Sequence, residues 1–517
     1  MSRRTRVVVI GGGITGLTTA YALEHLAPEA EVVLVEASPR LGGNIVTDVH
    51  NGFLIDYGPD SWVAAKPHAT DLARELGLGD ELIETIPANR KVYIAHNGAL
   101  HSMPEGVLLG VPTEAYPIAV SELFTWDAKL RMGLELVVPP RAWHDGEDET
   151  VGAFLERRFG EQLTERLAGP LLGGIFAGDA YQISVRAAFP QLVAAEKTHG
   201  SLIRAMRAQK AARTAKSPER PAPRDEDPEH DRRRPRSSRE KRDARDAAPP
   251  SRRPAGPSAF LSLKRGMGDL VVNLAHRVKG EVRLGAPVES VSAAPVDRGG
   301  PGRRYRVALR DEVLEADHVV FTGPAHAARR ALAPLDDTLP ALLGEFDYAS
   351  TATVFLAFKR SDVDHPLDAS GYIVPRSAGR AALACTWVGS KWDHRVPGGQ
   401  ALVRLFFSGQ HAGREVTDEA LADLARRELA AFVPLRGMAQ FARIHRYGMA
   451  SPQPSLGHLA RLARVERALS AHPGVYLAGN GYDGIGIPEC IRQAREVARA
   501  IADASAGRAT REREART

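Results

Sequence analysis

Cysteine is almost missing from this 517-residue chain: Cys385 and Cys490 are the only two, far apart in sequence. That excludes a disulfide scaffold and any cysteine-rich zinc or iron–sulfur centre, and it fits a reducing compartment. The 17 histidines show no H-E-x-x-H or other ligand spacing, so no metal is expected. No run approaches the roughly 18–20 consecutive apolar residues of a spanning helix. The N-terminus enters strand-like text at Val7–Ile10 with no signal-type apolar region or cleavage site, so a cytoplasmic location is expected. With 44% apolar and 25% charged residues, the composition is that of a soluble globular protein large enough for several domains.

A net charge of +5 suggests an anionic partner until the charges are located. Between Arg207 and Arg253 lie sixteen Lys/Arg and nine Asp/Glu, a surplus of seven, which leaves the rest of the chain at −2. This segment contains no Val, Ile, Leu, Met, Phe, Trp, Tyr or Cys. It cannot bury enough apolar surface to offset the entropy of ordering it, so a disordered insertion is expected over 207–257. Without interleaved aromatics to stack on bases, nucleic acid is not the expected partner. An inert solvated loop is the favoured reading, with peripheral attachment to an anionic membrane surface left open.

The first 60 residues alternate between strand and helix patterns. Val7–Ile10 is a buried-strand run, Ile14–Leu26 carries apolar residues at helical spacing, and Glu31–Val35 is the next strand. Gly11, Gly13 and Gly16 form G-x-G-x-x-G between the first two, and Glu36 follows Gly16 at the end of the second strand. Each part has a mechanical use: Gly11 for a tight turn, Gly13 for backbone approach to a pyrophosphate at a helix N-terminus, Gly16 for helix–strand packing. Glu36 can accept from ribose hydroxyls. A dinucleotide site follows, with FAD and NAD both compatible. Beyond it, Ala128–Leu136 and Val151–Phe159 read as helices. Val282–Leu284, Val288–Val291, Tyr305–Leu309 and His318–Thr322 read as short strands. Ala352–Phe358, Gly371–Val374, Ala382–Val388 and Ala401–Phe407 suggest a further sheet, then a helix over Asp418–Phe432, a strand at Val475–Ala478 and a helix over Pro488–Ala502.

The text Glu36-Ala-Ser-Pro-Arg40-Leu-Gly42-Gly43-Asn44 resembles the extended FAD fingerprint of the amine-oxidase-like flavoproteins, as does Leu477-Ala-Gly479 through Ile485-Gly486-Ile487-Pro488. Within that group the chain resembles the porphyrinogen oxidases, those taking protoporphyrinogen IX and the bacterial form that also takes coproporphyrinogen III. The residues that carry this are Asp56-Tyr57-Gly58-Pro59-Asp60-Ser61, Asn89-Arg90, Gly98 to Pro104, Gly169 to Asp179, Phe189-Pro190-Gln191, and Glu196 to Ser201. They recur in the family's order over nearly the whole chain outside the charged segment. Three stretches depart from the pattern, one of them Lys264-Arg265-Gly266 in place of a glycine pair ahead of Met267 and Leu270. Arg446-Tyr447 stands for an Arg-Trp pair, and Ser451-Pro452-Gln453-Pro454 for Met-Pro-Gln-Tyr.

The resemblance implies an α/β fold: a discontinuous Rossmann-like FAD-binding domain over 1–86, 258–330 and 446–505. Inserted α+β substrate-binding regions fall at 87–206 and 331–445, with a disordered tail at 506–517. It implies a six-electron, oxygen-dependent oxidation of a porphyrinogen in haem biosynthesis, in which non-covalent FAD takes hydride and is reoxidised by oxygen, itself reduced to peroxide. FAD contacts are implied at Gly11, Gly12, Gly13, Ile14, Thr15, Gly16, Glu36, Arg40, Gly42, Gly43 and Asn44. Further ones are implied at Tyr57, Gly58, Pro59, Asp60, Val288, Ile485, Gly486 and Ile487. Arg90 matches the arginine that grips a substrate propionate, and Gly174 the glycine beside the macrocycle. No catalytic side chain is assigned. A carotenoid desaturase or amine oxidase on the same scaffold, and a flavin-free binding protein with a basic arm, are the alternatives.

Overall fold

The computed structural model describes residues 4–216, 257–294 and 304–514. Its organising element is a parallel five-stranded sheet in the order Glu281–Arg283, Glu31–Val35, Arg6–Ile10, His318–Phe321, Val475–Leu477. Three distant stretches of chain supply these strands, which puts both termini and the middle of the sequence into one layer. The central strands are apolar almost throughout because a parallel sheet is covered on both faces. Successive residues alternate between the two covers. Val7, Val9, Val32 and Leu34 pack on the helices Ile14–Leu26, Gly268–Arg277 and Ile487–Glu514. Val8, Ile10, Val33 and Val35 pack toward Ala325–Ala331, His458–Leu469 and a three-stranded antiparallel sheet.

A second, seven-stranded sheet runs in the order Phe441–Gln453, Asp347–Lys359, Gln400–Ser408, Ala384–Trp387, Gly371–Ile373, Tyr93–His96, Ala99–Ser102. The helix Asp418–Ala430 covers it, started by Thr417, whose side chain accepts from the Ala420 N–H. A third core belongs to the helices between residues 115 and 216. Inside it Arg158 is fully buried against Glu135 and Glu196. The Glu135 carboxylate also accepts from the Ser201 hydroxyl at 2.6 Å and the Leu202 N–H at 2.7 Å. It thereby places negative charge at the start of the helix Leu202–Lys216.

Three expected boundaries move. The helix Leu202–Lys216 carries the fold ten residues into the segment read as disordered, and Arg207 Nε donates to the Thr113 carbonyl at 2.8 Å. The cause is that Ala, Arg, Lys and Gln are strong helix formers, and buried Leu202, Ile203 and Met206 start the helix for them. The rest of that segment, 217–256, lies outside the described residues. The helix Ile487–Glu514 likewise runs through most of the tail expected to be disordered from 506. Phe441–Gln453 crosses the expected boundary at 445/446 as one strand, its irregularity absorbed by a register shift opposite Ala349–Thr351.

Candidate functional site

Gly11 ends the first strand and donates its N–H to the Val35 carbonyl at 2.8 Å. It takes a φ of +109°, and a β-carbon there would lie 2.6 Å from Thr322 Oγ1. A β-carbon at Gly16 would overlap the Gly11 carbonyl oxygen, so the helix Ile14–Leu26 sits against the turn as closely as backbone allows. Gly13 caps that helix without a side chain, leaving first-turn N–H groups and the positive end of the helix dipole facing outward. Gly12 donates to Glu36 Oε2 at 2.6 Å, and Ser38 N–H to Glu36 Oε1 at 2.7 Å. The carboxylate is thus fixed at the rim of the glycine turn, each oxygen retaining a lone pair for a further donor.

Residues 40–44 fold back onto this turn. Gly42 N–H donates to the Gly12 carbonyl at 2.8 Å, and Gly13 and Gly42 form a bridge. Arg40 lies exposed above it, one guanidinium nitrogen on the Gly43 carbonyl at 2.8 Å. Asn44 meets Gly58, where a β-carbon would overlap the Asn44 carbonyl oxygen. Arg404 holds the Tyr57 and Gly58 carbonyls at 2.7 and 2.6 Å. The Tyr57 ring stacks on His445 at 5.2 Å, and Tyr447 OH donates to the Asn44 carbonyl at 3.4 Å. Burial, with the neighbouring Asp48 carboxylate, pushes the Tyr57 hydroxyl up to about 12. Burial, together with the charges of Arg40 and Arg404, pushes His445 down, in favour of its neutral form.

The last piece arrives from the C-terminus. Gly486 N–H donates to Asn480 Oδ1 at 3.1 Å and precedes the helix Ile487–Glu514. Ile487 packs in the same core as Ile14, whereas Ile485 packs against the helical core. Gly479 N–H donates to Gln493 Oε1 at 3.0 Å. Val288 opens the strand that follows Ala286, whose N–H donates to the Glu36 carbonyl at 2.9 Å. His458 is buried with Nε2 2.9 Å from the Tyr482 carbonyl. Both cysteines are buried thiols, and burial raises Cys490 to about 11.

Gly11–Gly16, Glu36, Arg40–Asn44 and Tyr57–Gly58 therefore converge through hydrogen bonds and close backbone approaches, with Ile487 in the same apolar core as Ile14, while three expected residues stand apart. Asp60 directs its carboxylate away, onto Lys391 at 2.8 Å and Trp392 Nε1 at 3.1 Å. Burial alone would raise it, yet the charges of Lys391 and Arg404 hold it well below the usual carboxylate range. Arg90 is paired with Glu84 at 2.7 Å and donates to Thr85 Oγ1 at 3.1 Å. Gly174 is exposed near the end of the helix Gly169–Ile175, with open space where a β-carbon would stand. Arg404, His445 and Thr322 were missed. A lone charge inside the apolar strand Gln400–Ser408 was the available signal for Arg404, since an unsupported charge does not survive there.

A closely packed glycine cradle, an uncapped helix start and a fixed carboxylate fit the phosphates and ribose of a dinucleotide. The family model for flavin-containing amine oxidoreductases matches residues 14–502, and the chain belongs to that family. Its cofactor is FAD. Among its relatives, the chain is 32% identical to the coproporphyrinogen III oxidase of Bacillus subtilis (strain 168), over 97% of this chain and 98% of that one. It is 35% identical to the coproporphyrinogen III oxidase of Propionibacterium freudenreichii, over 96% and 91%. A solved structure from Exiguobacterium sp. 255-15, provisionally named a protoporphyrinogen oxidase, superposes with a TM-score of 0.78 at 31% identity, covering 97% of this chain and 99% of that one.

Proposed function

We propose that this chain oxidises coproporphyrinogen III to coproporphyrin III with FAD and molecular oxygen, in the cytoplasm and as a step of haem biosynthesis. Near-full-length identity to coproporphyrinogen III oxidases carries the reading. Protoporphyrinogen IX is the second substrate to consider, because proteins named for it also match over nearly the whole chain, at 28–29% identity. Carotenoid desaturase and amine oxidase chemistry gain no comparable support.

The five-stranded parallel sheet then serves as a discontinuous Rossmann-like FAD domain. Gly11–Gly16 and the helix start at Ile14 hold the pyrophosphate, and Glu36 accepts from the adenosine ribose. Arg40, Gly42–Asn44 and Tyr57–Pro59 line the extended cofactor, joined by Val288 and Ile485–Ile487. Asp60 supports this segment through Lys391 rather than through a side-chain contact of its own. Bound in this cradle, FAD would supply the redox chemistry, uptake of hydride and its reoxidation by oxygen to give peroxide. The chain's contribution is to place the substrate: Arg90 exchanges Glu84 for a propionate, and Gly174 leaves room beside the macrocycle. Both cysteines are buried, which supports non-covalent attachment. Acid precipitation of the purified protein tests this. FAD is expected in the supernatant, and flavin remaining in the pellet, or none after reconstitution, contradicts it.

A further inference from the structure

The helix Gly169–Ile175 ends in an unusual way. Ala177 N–H donates to the Gly174 carbonyl and Gly178 N–H to the Gly173 carbonyl, both at 3.1 Å. This is a Schellman ending, whose left-handed position is ordinarily glycine. Here it is Ala177, at φ +50°, a conformation that costs a residue with a β-carbon and needs support from its surroundings. The motif leaves the Phe176 carbonyl pointing out of the helix, and two side chains of the strand Phe441–Gln453 take it. Ser451 Oγ donates at 2.7 Å and Gln453 Nε2 at 2.7 Å. Gly178 packs so tightly on the Gln453 amide that a β-carbon there would overlap it. Gln453 also reaches carbonyls of its own strand at 3.1 and 3.3 Å, whereas the Ser451 hydroxyl directs its proton to the Phe176 carbonyl.

The same strand touches the cofactor side. His445 stacks on Tyr57, and Tyr447 reaches the Asn44 carbonyl. Residues 445, 447, 451 and 453 lie on this one strand, whose backbone, bulged between Tyr447 and Ser451, joins the Asn44–Gly58 segment to the clamp on Phe176. Gly174 and Ile175, exposed in the last turn of the clamped helix, are thereby held at a fixed height relative to the cofactor segment.

We propose that Ser451 is a positioning residue for porphyrinogen binding: its hydroxyl, on the Phe176 carbonyl, fixes the Gly174–Ile175 face against which the macrocycle lies. This rests on the proposed function. It also explains why a serine can stand at a departure from the pattern of the porphyrinogen oxidases, since a methionine there could not donate. The fold itself does not depend on Ser451, because the neighbouring backbone bond from Ser184 N–H to the Pro454 carbonyl, at 2.8 Å, docks the same region independently.

The test compares the full-length holoenzyme with Ser451→Ala and Ser451→Thr. In Ser451→Ala, hydrogen exchange over residues 173–178 and KM for coproporphyrinogen III should each rise about two- to tenfold, the size of one lost hydrogen bond. FAD content and kcat should stay within about twofold, and Ser451→Thr, which keeps a hydroxyl, should restore most of the native KM. Unchanged KM or exchange in Ser451→Ala overturns the proposal, as does Ser451→Thr behaving like Ser451→Ala. Absence of porphyrinogen turnover by the unaltered enzyme overturns instead the function on which the proposal rests.

Discussion

Lys391 Nζ lies 2.8 Å from the same Asp60 oxygen that accepts from Trp392 Nε1 at 3.1 Å. Lys391 and Asp60 are both largely shielded from solvent, so removing one partner strands a charge. Lys391→Met should destabilise the protein by about 2–4 kcal/mol, read as a lower midpoint of thermal unfolding. The folded Asp60 carboxyl ionises at lower pH than the unfolded one. Its stabilisation is therefore complete above about pH 4 and shrinks as pH falls further. The stability difference between native protein and Asp60→Asn should persist at pH 7 and narrow below pH 4. A difference that does not change with pH would show that the ion pair contributes nothing.

Gly16 and Gly174 make an opposed pair. An alanine at Gly16 meets the Gly11 carbonyl, whereas at Gly174 it meets open space. Gly16→Ala should cost about 1–3 kcal/mol and yield protein with little FAD. Gly174→Ala should leave FAD content unchanged and stability within about 0.5 kcal/mol, while raising KM for porphyrinogen. Flavin absorbance per polypeptide, melting midpoint and steady-state kinetics read all three.

Arg90→Ala should raise KM for porphyrinogen more than it lowers kcat, because a propionate grip remote from the reacting carbon is the same in ground and transition states. A charge-assisted bond is worth roughly 1.5–3 kcal/mol, so about a ten- to 150-fold rise is the ceiling, reduced by the need to leave Glu84. Substrate with esterified propionates should be insensitive to the change. An unaffected KM for the free acid would confine Arg90 to its ion pair with Glu84.

Much of the scaffold was legible from periodicity. Ile14–Leu26, Glu31–Val35, Val151–Phe159 and Tyr305–Leu309 occur with the bounds their apolar spacing suggests, because these elements bury one face or two and nothing competes with that pattern. The glycine turn, Glu36 and Arg40–Asn44 were legible because close backbone approach permits few residue types. Arg404, His445 and Ser451 were not, since each acts through a partner hundreds of residues away in sequence, and spacing along the chain carries no trace of such pairing. Residues 207–216 misled for another reason. Lack of large apolar residues excludes a core, but it does not exclude a helix already started by Leu202 and Met206.

The charged segment beyond Lys216 offers a separate check. Replacing 217–256 by a flexible linker of roughly 20 Gly/Ser residues should leave melting midpoint, FAD content and kcat/KM nearly unchanged, because closure entropy varies slowly with length. Arg207 and Lys210 must be kept, since they bind the Thr113 carbonyl and the Glu114 carboxylate. Loss of FAD on replacement would mean that the segment forms part of the catalytic unit.

Oxygen uptake measured together with porphyrin fluorescence, on coproporphyrinogen III prepared anaerobically, tests the central claim most directly. The account predicts about three oxygen molecules consumed, and as many peroxide molecules formed, per coproporphyrin III released, as a six-electron oxidation requires. It also predicts a higher kcat/KM than for protoporphyrinogen IX. FAD-loaded protein that consumes no oxygen with either porphyrinogen, yet does so with an amine, would contradict it.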